Sequence, residues 1–328
     1  MTESTAPASA GIAAPTRADI EAAADRIGPH VRRTPVLRSE PVAFGVEAPL
    51  ELKLELLQVT GSFKPRGAFN RMLTADLGPA GVVAASGGNF GLAVAHAARS
   101  LGQHAEIFVP STSPAAKIDK VRATGADVRV IDGYYDEASV AAAARHDETG
   151  AVWMHPFDQF QVVAGQGTIA AELSEQVPDA DAVLVAVGGG GLIGGIASWY
   201  AGVDVRVVGI EPSSSRCLYD ALAAGGPVDV PVSGRAADSL GARRVGDISY
   251  AVASAGHVEE VVLVEDDAIL EAQRAIWQEL RIFAEPGGAA ALAAVRSGAY
   301  IPSDGERLVV LVCGANGDPS GVIESRPE

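Results

Sequence analysis

Lys64 is one of only four lysines in the chain, with Lys53, Lys117 and Lys120, and it stands in the run Thr60-Gly61-Ser62-Phe63-Lys64-Pro65-Arg66-Gly67-Ala68. Small and apolar residues crowd it, a proline follows it and glycines flank it. A lysine that loses solvation in such a setting has a lowered pKa, and its neutral amine becomes a nucleophile or Schiff-base former. A second candidate is Val187-Gly188-Gly189-Gly190-Gly191-Leu192, placed between an apolar run and a helical pattern. Successive glycines let backbone N–H groups converge without a Cβ in the way, and the positive end of the following helix adds to them, which makes a cup for phosphate. The competing reading is a tight turn that lets a strand and a helix pack closely. No Gly-Lys-Ser/Thr follows, so this is not a nucleotide P-loop.

A third turn, Ser86-Gly87-Gly88-Asn89-Phe90-Gly91, again joins an apolar run to a helical pattern. Helix N-termini attract carboxylates, and Ser86 and Asn89 add side-chain donors. Taken alone it reads first as a glycine turn with an N-cap. Cys313, in Val312-Cys313-Gly314-Ala315-Asn316, ends the last apolar run, at the edge where α/β sheets bind ligands; a lone cysteine there is otherwise a small core residue. Glu285-Pro286-Gly287-Gly288 reads as a helix start, Glu211-Pro212 as a strand end, and His155-Pro156 as a loop whose histidine bonds either structure or substrate. An amine of lowered pKa beside a phosphate cup and a carboxylate-binding turn implies an enzyme that holds an aldehyde cofactor on Lys64.

Positioning these residues needs a scaffold. Strands are expected at Gly81–Ala85, Ala105–Val109, Asp127–Ile131, Ala182–Val187, Val205–Ile210 and Arg307–Val312, and helices at Gly91–Leu101, after Pro114, and at Tyr134–Asp147, Gln166–Val177, Leu192–Ala201, Asp266–Arg281 and Gly287–Arg296. Continuously apolar strands that alternate with helices predict parallel sheet covered on both faces. The stretch from Pro227 to Ser249 reads as active-site loop and connection. The division expected is a tail over 1–16, a large unit over 17–71 and 156–328, and a small inserted unit over 72–155. Apolar residues make up 48% of the chain and aromatics 5%, so Ala, Val, Gly and Leu must build the core.

The net charge of −16 argues against non-specific nucleic-acid binding. No apolar stretch is long enough to span a bilayer. Two cysteines, Cys217 and Cys313, form no disulfide framework or zinc site and fit a reducing cytoplasm.

With these residues assembled, the chain from about Arg17 to Asp318 resembles the fold type II pyridoxal-phosphate enzymes of the serine/threonine dehydratase family, related to serine racemase. It carries Ser-Phe-Lys-x-Arg-Gly, Ser-Gly-x-Asn, the tetraglycine run and Cys-Gly-Ala-Asn in the family order. The resemblance implies two open, mostly parallel sheets with a small lobe inserted in a large one, and β-elimination of a β-hydroxy amino acid, L-threonine or L-serine, to a 2-oxo acid and ammonia.

By the same resemblance, Lys64 holds pyridoxal 5'-phosphate and moves the α-proton, and Phe63 packs beside the ring. Gly188, Gly189, Gly190, Gly191 and Leu192 hold the phosphate. Asn89, Glu285 and Cys313 line the ring, with a neutral thiol at the pyridine nitrogen. Ser86, Gly87, Gly88, Asn89, Phe90 and His155 face the substrate. A cytoplasmic homodimer acting on a small amino acid is implied as well.

Three positions depart from the family pattern. Gly87 stands where racemases have a proton-carrying serine, which favours elimination. Phe90 replaces a histidine and leaves room for a lyase acting on another β-substituted amino acid. Cys217 follows Glu211 where metal-dependent relatives have an acid, which weakens a divalent site at Glu211. The chain ends at Glu328, so the resemblance implies the short form without an appended regulatory domain. Competing readings are a racemase, a non-catalytic relic of the fold, and a dinucleotide-binding oxidoreductase that lacks the ribose-binding acid.

Overall fold

The structure, a computed structural model, describes residues 12–323. Within them, two sheets are built from β1 (Val36–Arg38), β2 (Leu50–Lys53), β3 (Val82–Ala85), β4 (Ala105–Pro110), β5 (Asp127–Ile131), β6 (Val152–Met154), β7 (Ala182–Ala186), β8 (Arg206–Pro212), β9 (Glu260–Val264) and β10 (Leu308–Leu311). The larger sheet runs β1-β2-β10-β7-β8-β9 and the smaller β5-β4-β3-β6. Only β1 pairs antiparallel, with β2; the other pairs are parallel. This is the α/β architecture expected from continuously apolar strands.

The α-helices are α1 (Arg17–Ile27), α2 (Lys64–Leu73), α3 (Asn89–Ser100), α4 (Ala115–Arg122), α5 (Tyr135–Thr149), α6 (Phe160–Gln176), α7 (Gly191–Tyr200), α8 (Cys217–Ala224), α9 (Ala237–Leu240), α10 (Asp247–Val252), α11 (Asp266–Leu280), α12 (Pro286–Arg296) and α13 (Ser320–Ile323). All five residues of β7 are buried between β10 and β8. Each fully buried Val or Leu there contributes about 1.5–3 kcal/mol.

The six expected strands appear as β3, β4, β5, β7, β8 and β10, within two residues at each end. Several elements depart from expectation. Of the expected tail, residues 1–11 lie outside the described residues. Within 12–16, Pro15 is buried, Ala14 packs on the core and Thr16 caps α1 with a capping box. Helix α6 starts at Phe160, not at Gln166, because Gly165 and Gly167 disguise a helix. A Cβ at Gly165 would stand 2.5 Å from Arg66 O, and one at Gly167 would stand 2.9 Å from Gly195 O, so both glycines let α6 close on its neighbours.

The expected loop from Pro227 to Ser249 contains α9 and the start of α10. Strand β2 went unrecognised because Leu-Glu-Leu-Lys is half charged. It is nonetheless buried throughout, with Glu51 paired to Arg307 and Lys53 to Glu172.

Candidate active site

The lysine loop and the cysteine loop are joined through their backbones. Phe63 N donates to Cys313 O (3.2 Å), Ala315 N donates to Gly61 O (2.9 Å), and Ser62 bridges Gly314. Asn316 Nδ2 donates to Thr60 O at 2.7 Å, and Thr60 sits at φ +65°, a costly conformation for a β-branched residue. Lys64 then opens α2 with Pro65 behind it. Its amine donates to Pro156 O at 3.0 Å and lies 5.0 Å and 5.7 Å from the ring centres of Phe63 and Phe90. Burial lowers its pKa to about 8, while Cys313 and Glu285 oppose the shift.

Behind the lysine, Arg66 is 1% exposed and its guanidinium is shared between Glu55 (2.7 Å) and Glu172 (2.8 Å). Lys53 reaches the same Glu172 at 2.6 Å. Two cations thus meet two carboxylates with hydrogen bonds on every side, the condition for burying charge.

Asn89 begins α3 and donates to Glu285 Oε1 at 2.5 Å, while Asn316 donates to Asn89 Oδ1 at 2.9 Å and, through its backbone, to Glu285 Oε2 at 3.2 Å. Glu285 stands at the N-cap position of α12 and is 3% exposed, and burial pushes its pKa up. Cys313 Sγ donates to Gly287 O at 3.3 Å. Burial likewise pushes this thiol's pKa well above its ordinary value, so it stays neutral.

The glycine loop follows β7. Its carbonyls are occupied: Cys217 Sγ donates to Gly188 O (3.0 Å), Gly246 N to Gly189 O (3.0 Å) and Gly194 N, within α7, to Gly190 O (2.8 Å). Gly190 sits at φ +91°, and a Cβ there would stand 2.6 Å from the Ser249 Cβ. The Phe157 ring covers Gly189. Three buried hydroxyls near the motifs have no partner, Ser249 Oγ beside Gly190, and Thr60 Oγ1 and Ser62 Oγ before the lysine. A cradle that excludes Cβ atoms, an unsatisfied hydroxyl beside it and an amine of lowered pKa fit a phosphate-bearing aldehyde.

In the third turn, Ser86 Oγ accepts from Gly88 N at 3.2 Å, and Phe90 is 2% exposed, its ring facing the lysine. The space where a Gly87 side chain would stand is filled by the Ser113 hydroxyl, from the loop after β4. His155 Nδ1 accepts from Asp158 N at 2.9 Å, and burial, with Lys64 adding to it, pushes the ring down to about 4. The ring is neutral and shapes the turn that presents Pro156 O to Lys64.

Glu211 lies near the end of β8, next to the Cys217 that bonds the glycine loop. Its carboxylate accepts from Leu218 N (2.9 Å) and Tyr219 N (2.8 Å), beside Cys217. Among the described residues no group of three His, Cys, Asp or Glu side chains could hold a metal ion. Sequence reasoning missed Pro156, Phe157, Ser113 and Ser249; Ser113 stands just past the carboxyl end of β4, and Pro156 and Phe157 just past that of β6, where such sheets bind ligands.

Residues 27–314 match the family described as pyridoxal-phosphate dependent enzyme. The chain belongs to this family. It is 39% identical over 309 residues to the L-threonine dehydratase biosynthetic IlvA of Mycobacterium leprae, covering 92% of this chain and 72% of that protein. The fold overlays that of maize serine racemase with a TM-score of 0.87 at 34% identity, covering 93% and 95% of the two chains. For the processed form of threonine deaminase isoform 2 from Solanum lycopersicum the TM-score is 0.84 at 33% identity, covering 94% and 90%. Among the described residues no helix is long and apolar enough to cross a membrane. The pyridoxal-phosphate dependence expected from Lys64 is therefore a property of the family to which the chain belongs.

Proposed function

We propose that the chain catalyses β-elimination of a β-hydroxy amino acid, L-threonine or L-serine, releasing a 2-oxo acid and ammonia. The observation that carries this reading is the Lys64 amine, its pKa lowered to about 8, set 5.0 and 5.7 Å from the ring centres of Phe63 and Phe90 and bonded to Pro156 O, next in the chain to the Phe157 that covers Gly189. Pyridoxal phosphate, when bound, would supply the electron sink that acidifies the amino acid's α-C–H and lets the β-hydroxyl leave. Gly188 to Leu192 hold the phosphate at the start of α7, with Ser249 as a further donor. Phe63 and Asn89, the latter tied to Glu285 and Asn316, would line the cofactor ring, and the neutral Cys313 thiol would do so without adding charge.

Ser86 and the amides of Gly87, Gly88 and Asn89 hold the substrate carboxylate. Phe90 walls the substrate side with an apolar surface, and His155 holds the wall behind the lysine. The neutral Lys64 amine takes the α-proton. The relatives named L-threonine dehydratase and threonine deaminase support this reading.

A second reading, racemisation, gains from Ser113, whose hydroxyl stands at Gly87 where a second proton carrier is needed. The division at residues 71/72 and 155/156, the cytoplasmic location and a homodimer belong to the same proposal. The test is release of 2-oxo acid and ammonia by cofactor-loaded protein from L- and D-Thr, L- and D-Ser and 3-substituted analogues. Stoichiometric 2-oxo acid from L-Thr or L-Ser is expected. Inversion of the α-carbon without 2-oxo acid would replace elimination by racemisation.

A further inference from the structure

The four-residue helix α9 touches three parts of the molecule through three consecutive residues. Asp238 pairs with the Lys117 ammonium, which belongs to α4 on the smaller sheet. Ser239 Oγ accepts from Gly287 N at 2.9 Å, at the first turn of α12, just past Glu285. The Leu240 backbone lies against Gly188, 3.2 Å from where a Cβ would stand, and its carbonyl accepts from Ser215 Oγ at 3.0 Å. One short element therefore joins the phosphate cup, the helix that carries Glu285 and the smaller sheet.

On the other side of the pair, α4 follows directly on Ser113 and Pro114, and Ser113 rests against Gly87 in the carboxylate turn. Lys117 is 12% exposed, whereas its partner Asp238 is 55% exposed. Lys117 is close enough to Glu285 for its charge to be the strongest influence opposing the burial-driven rise of that carboxyl's pKa. A second ion pair, Arg243 with Asp136, spans the same gap, but at 3.9 Å with both side chains about two-thirds exposed it is the weaker tie.

We propose that Lys117 is a positioning residue, and that its pair with Asp238 seats the segment from Ser113 through α4, and with it the carboxylate turn, on the frame that holds the cofactor. The substrate site is complete only while the pair is made. The proposal rests on the reading of the Ser86–Phe90 turn as the carboxylate site. Its structural half, the tie between α4 and α9, is tested without turnover.

Three variants read it: Lys117→Met, Asp238→Asn, and the exchanged pair Lys117→Asp with Asp238→Lys. Amide hydrogen exchange over residues 111–122 is followed in each without substrate, and the rate is expected to rise about three- to fivefold in both single variants. It should return towards wild type in the exchanged pair. With cofactor bound, KM for the amino acid is expected to rise by a similar factor with kcat changed less. The wild-type KM should climb with ionic strength, and those of the single variants should stay flat. Unaltered exchange in both single variants would overturn the tie, and so would an exchanged pair no better than the sum of the two. Altered exchange with unaltered KM would overturn the link to the substrate site.

Discussion

The lowered pKa of Lys64 can be tested with no turnover at all. Burial takes the amine from 10.5 to about 8, against the opposing influence of Cys313 and Glu285. At pH 8 about half of it is then neutral, against roughly 0.3% for an ordinary lysine, a gain in free amine of more than about a hundredfold. Competitive labelling of cofactor-free protein with a small acylating reagent, read peptide by peptide by mass spectrometry from pH 6 to 11, should give Lys64 an inflection near 8. Lys53 shares the direction of shift, but its ammonium is locked on Thr34 O, Glu172 and Gln176, so it should label poorly throughout.

Two variants should move the Lys64 midpoint in opposite directions. Phe63→Ser admits water and raises it, while Glu285→Gln removes a carboxylate that favours the ammonium and lowers it. The same shift has a stability consequence. The native amine's pKa lies below the unfolded value, so the unfolded chain binds more protons between pH 8 and 10.5, and stability rises with pH across that window. At pH 7 the buried ammonium costs about 3 kcal/mol. Lys64→Met should therefore stabilise cofactor-free protein at pH 7, and the gain should vanish above about pH 10.5. An inflection near 10, or both variants shifting it the same way, would refute the burial argument.

Other consequences can be read from stability. Gly87→Ser collides with Ser113 and should cost about 1–3 kcal/mol in urea unfolding, with Ser113→Gly relieving the loss; strictly additive effects would mean the two do not touch. Glu55→Gln leaves the Arg66 guanidinium short of one buried charge and should cost about 3–5 kcal/mol, far more than replacing both residues by apolar ones of similar volume, as denaturant midpoints will tell. Burial raises Glu211 from 4.5 to about 7, so the native state binds the extra proton between those values. Its contribution, full below pH 4.5, is lost as pH rises to about 7, and Glu211→Gln should flatten that part of the stability profile.

What the sequence disclosed follows the physics of each contact. The strand Ala182–Ala186 was legible because a fully buried parallel strand needs nothing but apolar side chains, and the glycines after it because no other residue allows such a turn. Lys64 was legible from its small neighbours. Pro156 was not, since its contribution is a backbone carbonyl that any residue could offer. Ser113 and Ser249 act through contacts with Gly87 and Gly190, far from them along the chain, and an isolated serine carries no sign of the glycine it will meet. Strand β2 and the first turns of α6 were hidden for the opposite reason. Charges and glycines, normally surface or turn signals, are there satisfied by buried partners and by close helix packing.

The tetraglycine run admitted two readings, a phosphate cup and a tight packing turn, and the structure realises the second without displacing the first. A Cβ at Gly189 meets the Phe157 ring and one at Gly190 meets Ser249, so an alanine at either position would damage packing whether or not an anion binds. Glycine substitutions therefore cannot separate the readings. Ser249→Ala probes the cup alone, because it keeps the Cβ that packs on Gly190 and removes only the hydroxyl, which is buried with no partner. If that hydroxyl serves an anion, it makes a charge-assisted hydrogen bond of about 1.5–3 kcal/mol, and its loss should weaken pyridoxal phosphate binding roughly ten- to a hundredfold. Binding of pyridoxal, which lacks the phosphate, should stay unchanged, and so should the unfolding midpoint. Equal weakening for both aldehydes, or none for either, would remove Ser249 from the donors to the phosphate.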